Sequence, residues 1–189
     1  LVLLYHRVLP ARMADDLDRF LSVSREHFEA QMDMLAGAAC VKPLDSMARE
    51  SDADDKPIRV AVTFDDGYAD VLEYALPALQ DRQIPATMFL TTGFCDGSVA
   101  AWWEQIAQCL RVACPSASER VFRYRQLVER HQHGPSAERK GGSEAAFNMY
   151  TSSSSAKRRR FLTPEQVRWA AGQGMTFENH THSHPCIAT

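Results

Sequence analysis

Ile58-Arg59-Val60-Ala61-Val62-Thr63-Phe64-Asp65-Asp66-Gly67 is the stretch from which the fold is read. Ile58, Val60, Val62 and Phe64 alternate on one side, and Ala61 and Thr63 are small enough to be buried on the other. The pattern predicts a strand within the interior. It runs straight into two adjacent carboxylates and a glycine that permits a tight exit. Taken alone, Asp-Asp-Gly reads as a turn or a helix cap. At the end of an apolar strand, two neighbouring carboxylates are unfavourable unless a cation or a proton compensates them. In open or barrel-like α/β folds, the C-terminal end of a strand is where chemistry collects.

Outward from this strand the pattern alternates. On the N-terminal side, residues 1–8 read as one buried strand ended by Pro10, and residues 10–22 as a loop. A helix follows, capped by Ser24, with Phe28, Met32 and Leu35 at helical spacing and Gly37 at its end. Cys40-Val41 is a short strand, Asp45 caps a short helix, and residues 51–57 form a surface turn. Beyond Gly67 a helical segment extends to about Arg82, broken or kinked at Pro77, and residues 86–91 form the next strand. Strand, helix, strand, helix, strand predicts an α/β fold with right-handed crossovers.

Residues 95–160 depart from this rhythm. Helical patterns run from Trp102 to Val112 and from Ser118 to His131. A polar, turn-rich stretch follows, with His133-Gly134-Pro135, Lys140-Gly141-Gly142 and Ser152-Ser153-Ser154-Ser155. With too few apolar residues for a core of its own, the block reads as an insertion within one domain spanning 1–189. Order returns at Thr163-Pro164-Glu165-Gln166, a capping box with proline at the first helical position. Val167, Ala170 and Ala171 line the inner face of this helix, and Gly172 and Gly174 end it. Met175 to Phe177 then forms a strand that delivers His180 and His184.

The bulk numbers narrow the function. The 189 residues are 45% hydrophobic and 24% charged, ordinary for a globular domain. A formal net charge of −3 argues against a nucleic-acid binder, and the basic run Lys157-Arg158-Arg159-Arg160 reads as a solvated loop. Five cysteines, Cys40, Cys95, Cys109, Cys114 and Cys186, form no C-x-x-C pair and suggest neither a zinc knuckle nor a complete disulfide framework. No apolar run approaches the roughly 18 residues of a membrane span, and no signal peptide is present. The chain opens Leu1-Val2-Leu3-Leu4 without Met, so both ends read as cut and leave the compartment open: cell envelope, periplasm, secretion or cytoplasm.

Three of the seven histidines fall in His180-Thr181-His182-Ser183-His184. If this segment is extended, all three imidazoles face one way. If it turns helical at His180, only His180 and His184 share a face. The second geometry suits a single metal ion and is the expectation here, with His182 pointing elsewhere and Thr181 and Ser183 fixing the loop. One carboxylate and two imidazoles hold a divalent cation on one side and leave the other open for water. The second carboxylate is then free to act as a base.

With both segments in view, the chain resembles a known family. Val60-Ala61-Val62-Thr63-Phe64-Asp65-Asp66-Gly67-Tyr68 resembles the first motif of the polysaccharide deacetylases, the NodB-like enzymes of carbohydrate esterase family 4. His180-Thr181-His182-Ser183-His184-Pro185 resembles their second. Leu4-Tyr5-His6-Arg7-Val8, Pro85-Ala86-Thr87-Met88-Phe89-Leu90 and Phe161-Leu162-Thr163-Pro164-Glu165-Gln166 are similar to the flanking elements. The resemblance implies a distorted, incomplete (β/α) barrel with its site at the C-terminal strand ends. It implies Asp65 as catalytic base and Asp66, His180 and His184 as ligands of a divalent metal, zinc first, with cobalt, nickel or manganese as alternatives. The implied reaction is hydrolysis of a carbon–nitrogen bond other than a peptide bond: N-acetyl groups leave an amino-sugar polysaccharide as acetate. Family members also carry later motifs, which include a general acid and the base's arginine partner, and this sequence stops before them.

Two rival readings follow: a non-catalytic piece that binds metal or carbohydrate, and an amidase acting on non-sugar amides. Five further positions are left with two readings each. His6 faces the site or packs structurally; Trp102 and Trp103 stack on sugar rings or anchor the insertion. Glu178, where the family often has glycine, joins the metal shell or stays at the surface. Tyr68 packs beside the turn or borders the pocket.

Overall fold

The burial of Val60, Ala61, Val62, Thr63 and Phe64, each no more than 2% exposed, makes β5 (Arg59–Phe64) the central strand. The computed structural model describes residues 1–47, 58–133 and 160–185. On one edge β5 pairs in parallel with β1 (Val2–Tyr5), from Val2↔Ala61 to Tyr5↔Phe64. It also pairs with β6 (Ala86–Leu90), from Val62↔Ala86 to Phe64↔Met88. β7 (Thr176–Asn179) adds to β6, and β4 (Cys40–Val41) pairs with the start of β5. Every pairing is parallel and the order is β1-β5-β6-β7. One end of the sheet therefore presents His6, Asp65-Asp66, Thr91 and His180 together. This is α/β architecture with a parallel sheet, as expected.

Helices α1 (Arg25–Ala38) and α3 (Leu76–Asp81) contribute to the main core around Phe28, Met32, Phe64, Tyr68, Leu79 and Met88. Ser24 caps α1 by accepting from the His27 N–H at 3.1 Å. Gly37 does not end this helix, which runs on to Ala38. Its end is set instead by the capture of Cys40, whose N–H donates to Ile58 O at 3.1 Å. Asp45 is not a cap but lies in the first turn of α2 (Leu44–Met47). Pro77 stands in the first turn of α3, directly after a π-helical turn, Val71–Ala75. The wider turn absorbs the proline that cannot continue an α-helical ladder. The capping box of α7 (Pro164–Gly172) is present: Thr163 Oγ1 accepts from Gln166 N and Gln166 Oε1 from Thr163 N. Ala170 is buried as expected, Val167 half-buried and Ala171 exposed.

The single strand expected over residues 1–8 is two. β2 (Arg7–Leu9) leaves the main sheet at His6 and pairs with β3 (Ser22–Ser24), which begins at the last residue of the stretch expected to be a loop. The cause is electrostatic. Arg7 is buried and directs its guanidinium to Asp18 and Asp70, each at 2.8 Å, while Val8 N–H reaches Asp70 Oδ1. Arg160 also departs from the solvated-loop expectation, since it pairs with Asp18 at 3.1 Å and Glu104 at 3.0 Å. The rest of the basic run, Cys186, the turn at 51–57 and the turn-rich stretch after His133 lie outside the described residues.

Helices α4 (Thr92–Asp96), α5 (Trp102–Ala113) and α6 (Ala117–His133) follow β6. α5 and α6 bury Trp103, Ile106, Leu110 and Tyr124 with Leu17 and Phe94, and Phe161 packs against both this cluster and the main core.

Candidate metal centre

Asp66 is placed by backbone geometry that its sequence neighbourhood demands. After the last paired residue, Phe64, the chain turns sharply: Asp66 takes φ 70° and Gly67 φ 83°. A side chain at Gly67 would be strained there, and its Cβ would stand 2.8 Å from Leu90 Cδ2. A non-glycine residue held in this left-handed region is a mark of a site where the surroundings over-determine the backbone. The turn sends the Asp66 carboxylate inward, 2% exposed.

The histidines arrive from β7. The first turn of α4 fastens their loop: Thr92 and Gly93 N–H donate to Thr181 and His182 carbonyls at 3.2 and 2.9 Å. Thr91 Oγ1 donates to His180 O, and His180 N–H to Leu90 O. Gly93 is required by close approach, because a Cβ there would lie 2.6 Å from His182 O. The helical geometry expected from His180 to His184 is not the one adopted. Thr181 at φ 65° and His184 at φ 49° make a looped turn, and His184 N–H donates to Thr181 Oγ1. The carbonyls that a helix would use internally are taken by α4 instead. The outcome for the side chains is the expected one: His180 and His184 converge, and His182 turns away to Thr92 Oγ1 at 2.9 Å.

Asp66 Oδ1 lies 3.4 Å from His184 Nε2 and 3.8 Å from His180 Nε2. One ligand atom from each of Asp66, His180 and His184 lies within 4.8 Å of the others, and this is the single such cluster of metal-ligating groups among the described residues. Asp65 stands beside it, its Oδ2 4.0 Å from His180 Nε2. Burial pushes the Asp66 carboxyl up to about 7, with the neighbouring charges of Asp65 and Glu104 adding to it. Burial lowers the His184 imidazole, and His180 lowers it further. Asp66 Oδ1 and His184 Nδ1 are buried and have no hydrogen-bond partner among the described residues. A buried acceptor left unpaired is costly, and a cation between the three side chains would satisfy it. The residues fit a first-row divalent ion: one carboxylate oxygen, two imidazole nitrogens and an open side.

The other sequence candidates divide. His6 is half-buried at the end of β1; burial lowers its basicity and the charges of Asp65 and His180 act on it, which puts it at the rim of the cluster. Glu178 is exposed on β7, opposite Phe89, and takes no part. Trp102 stacks on His131 with ring centroids 4.0 Å apart, whereas Trp103 is buried. Tyr68 is fully buried under the turn. Sequence reasoning missed the clamp by Thr91, Thr92 and Gly93, whose signal was faint: a threonine pair and a glycine directly after a strand.

A family model described as polysaccharide deacetylase matches residues 52–189. Among solved structures, the chain is similar to the deacetylase PplD of Streptococcus pyogenes in complex with acetate, at 18% identity and a TM-score of 0.52, covering 97% of this chain and 57% of that one. It is also similar to IcaB from Ammonifex degensii, at 33% identity and a TM-score of 0.41 over 57% of this chain and 46% of that one. A polysaccharide deacetylase from Bacillus cereus matches at 17% identity and a TM-score of 0.49, over 97% and 39% of the two chains. The chain thus spans little more than half the length of the Streptococcus protein, whose likeness is one of fold. No curated protein matches significantly.

Proposed function

This chain belongs to the polysaccharide deacetylase family, and from that premise we propose that it removes N-acetyl groups from an amino-sugar polysaccharide with the help of a divalent metal ion. Asp66, His180 and His184 hold the ion, zinc first among the metals this donor set suits. The same reading takes residues 1–189 as one domain with 95–160 inserted in it. When bound, the ion would polarise the amide carbonyl and make a water molecule acidic near neutral pH.

The chain's own residues supply the rest. Asp65, at the mouth of the cluster and 13% exposed at its side chain, orients the water and takes its proton. Its backbone is fixed on both sides, by Asp65 N–H to Tyr5 O and Gly67 N–H to Asp65 O, each at 2.9 Å. Asp66 gives up its own proton to serve as ligand. The parallel sheet keeps the two carboxylates and two imidazoles at its C-terminal end.

The observation that carries this reading is the convergence of Asp66, His180 and His184 around a buried carboxylate oxygen that no described group satisfies. The test is acetate release from N-acetylglucosamine oligomers by the intact protein, stripped with chelator and then reloaded with zinc or cobalt. Activity should vanish on stripping and return on reloading. Turnover that persists without metal, or in Asp66→Ala, refutes the mechanism. Among the described residues no helix is long and apolar enough to cross a membrane.

A further inference from the structure

A metal-bound imidazole is ordinarily oriented by a hydrogen bond from its other ring nitrogen. His184 Nδ1 has no such partner among the described residues, although it is buried. What holds the ring instead is an aromatic wall. The Trp103 ring stands 4.8 Å from the His184 ring at 66°, and the Phe94 ring 6.3 Å away at 21°. Phe94 is in turn edge-on to Trp103 at 5.6 Å and packed on Phe161 at 4.7 Å.

Trp103 is itself pinned. Its Nε1–H donates to the Tyr68 hydroxyl at 2.7 Å, a buried hydrogen bond. The hydroxyl donates to Glu104 Oε1 at 3.1 Å, and Arg160 holds the other Glu104 oxygen at 3.0 Å. The Arg7 guanidinium lies 4.9 Å from the Tyr68 ring centroid. Trp103 therefore touches both arms of the centre: the loop after β5, through Tyr68, and the loop after β7, through His184. It comes from α5, outside both sequence motifs.

We propose that Trp103 is the positioning residue of His184, fixing the imidazole by ring packing where a hydrogen bond to Nδ1 would otherwise do so. The inference rests on the metal-site reading above.

The test is zinc affinity of the intact protein, measured by competition with a chromophoric chelator, with circular dichroism confirming the fold. Trp103→Leu keeps an apolar side chain but no ring and should weaken binding by roughly 10- to 100-fold, the usual range for loss of outer-shell support. Trp103→Phe should stay within about threefold of the parent, because it keeps an aromatic ring against His184 although it gives up the hydrogen bond to Tyr68. A merely structural tryptophan would show no such split. In a His184→Ala background, Trp103→Leu should cause no further loss. Should the leucine chain not fold, Trp103→Met takes its place. A parent protein that binds zinc, loses it in Asp66→Ala, and keeps it undiminished in Trp103→Leu overturns this inference alone. A parent protein that takes up no zinc overturns the metal-site reading and this inference with it.

Discussion

Oδ1 of Asp66 stands 3.4 Å from Nε2 of His184, yet it accepts a hydrogen bond from none of the described residues. The two groups are close enough to pair as ions once the imidazole is protonated, and burial pushes the carboxyl up to about 7. The arrangement supports the ligand set proposed above.

Removing the ionisable group should therefore stabilise the metal-free protein. The folded-state value of Asp66, about 7, lies above the unfolded value of 3.8. Between these two the folded state binds more protons, so metal-free stability falls as pH rises from about 4 to about 7. Asp66→Asn should remove that loss, adding on the order of 2 kcal/mol at pH 8, while abolishing metal uptake. Urea denaturation at pH 5 and pH 8, with chelator present, measures both halves. A variant less stable than the parent at pH 8 would contradict the argument.

Metal affinity should carry the same proton. Binding to Asp66 expels it, so affinity should rise with pH up to about 7 and level off above it. Calorimetry in two buffers of different ionisation enthalpy counts the proton released. No pH dependence between 5.5 and 7 would exclude Asp66 as a ligand that must be deprotonated.

Asp65 and Asp66 should separate cleanly. Asp65→Asn should keep zinc affinity close to that of the parent and lower acetate release by roughly 10²- to 10⁴-fold, the range for loss of a general base. Equal loss of metal in the two asparagine variants would mean that both carboxylates are ligands.

Gly93→Ala tests the clamp on the histidine loop. Its Cβ would meet Val99 Cγ2 at 2.5 Å and His182 O at 2.6 Å, and the second atom is backbone. The loop must move, with an expected cost of about 1–3 kcal/mol in stability and roughly tenfold in zinc affinity. His182→Ala, which removes a side chain facing away, should leave zinc affinity unchanged.

Arg7 faces Asp18, Asp70 and Glu104 at 2.8, 2.8 and 3.9 Å, all largely buried. Arg7→Met should cost about 3–5 kcal/mol at neutral pH, because buried carboxylates lose their counter-charge. Arg7→Lys should recover only part, since an ammonium cannot bridge two carboxylates as a planar fork does. Denaturation midpoints decide it, and a neutral methionine variant would show the network to be dispensable.

How much of this was legible beforehand follows from range. β5, the cap at Ser24 and the capping box at Thr163 are written in neighbouring residues, and local pattern found them. That one of the two adjacent carboxylates would meet His180 and His184 was legible because their chemistry is scarce enough to match across the chain, whereas the choice of Asp66 over Asp65 was implied only by the family resemblance. The break at His6 was not, for it depends on Arg7 meeting Asp18 and Asp70, and no local rule pairs them. The loop from His180 to His184 misled for a similar reason: its backbone donors and acceptors are committed to α4, not to each other. Trp103 read as an anchor or a sugar platform because its neighbour His184 is distant in sequence.

β7 joins the sheet on β6, through Thr87 to Leu90, and the loop that follows it carries His180 and His184. During synthesis the carboxylate of the proposed ligand Asp66 thus emerges from the ribosome well before the two imidazoles. On the proposed function, ion loading would then be a closing event of biogenesis, since Asp66 precedes both imidazoles by more than a hundred residues.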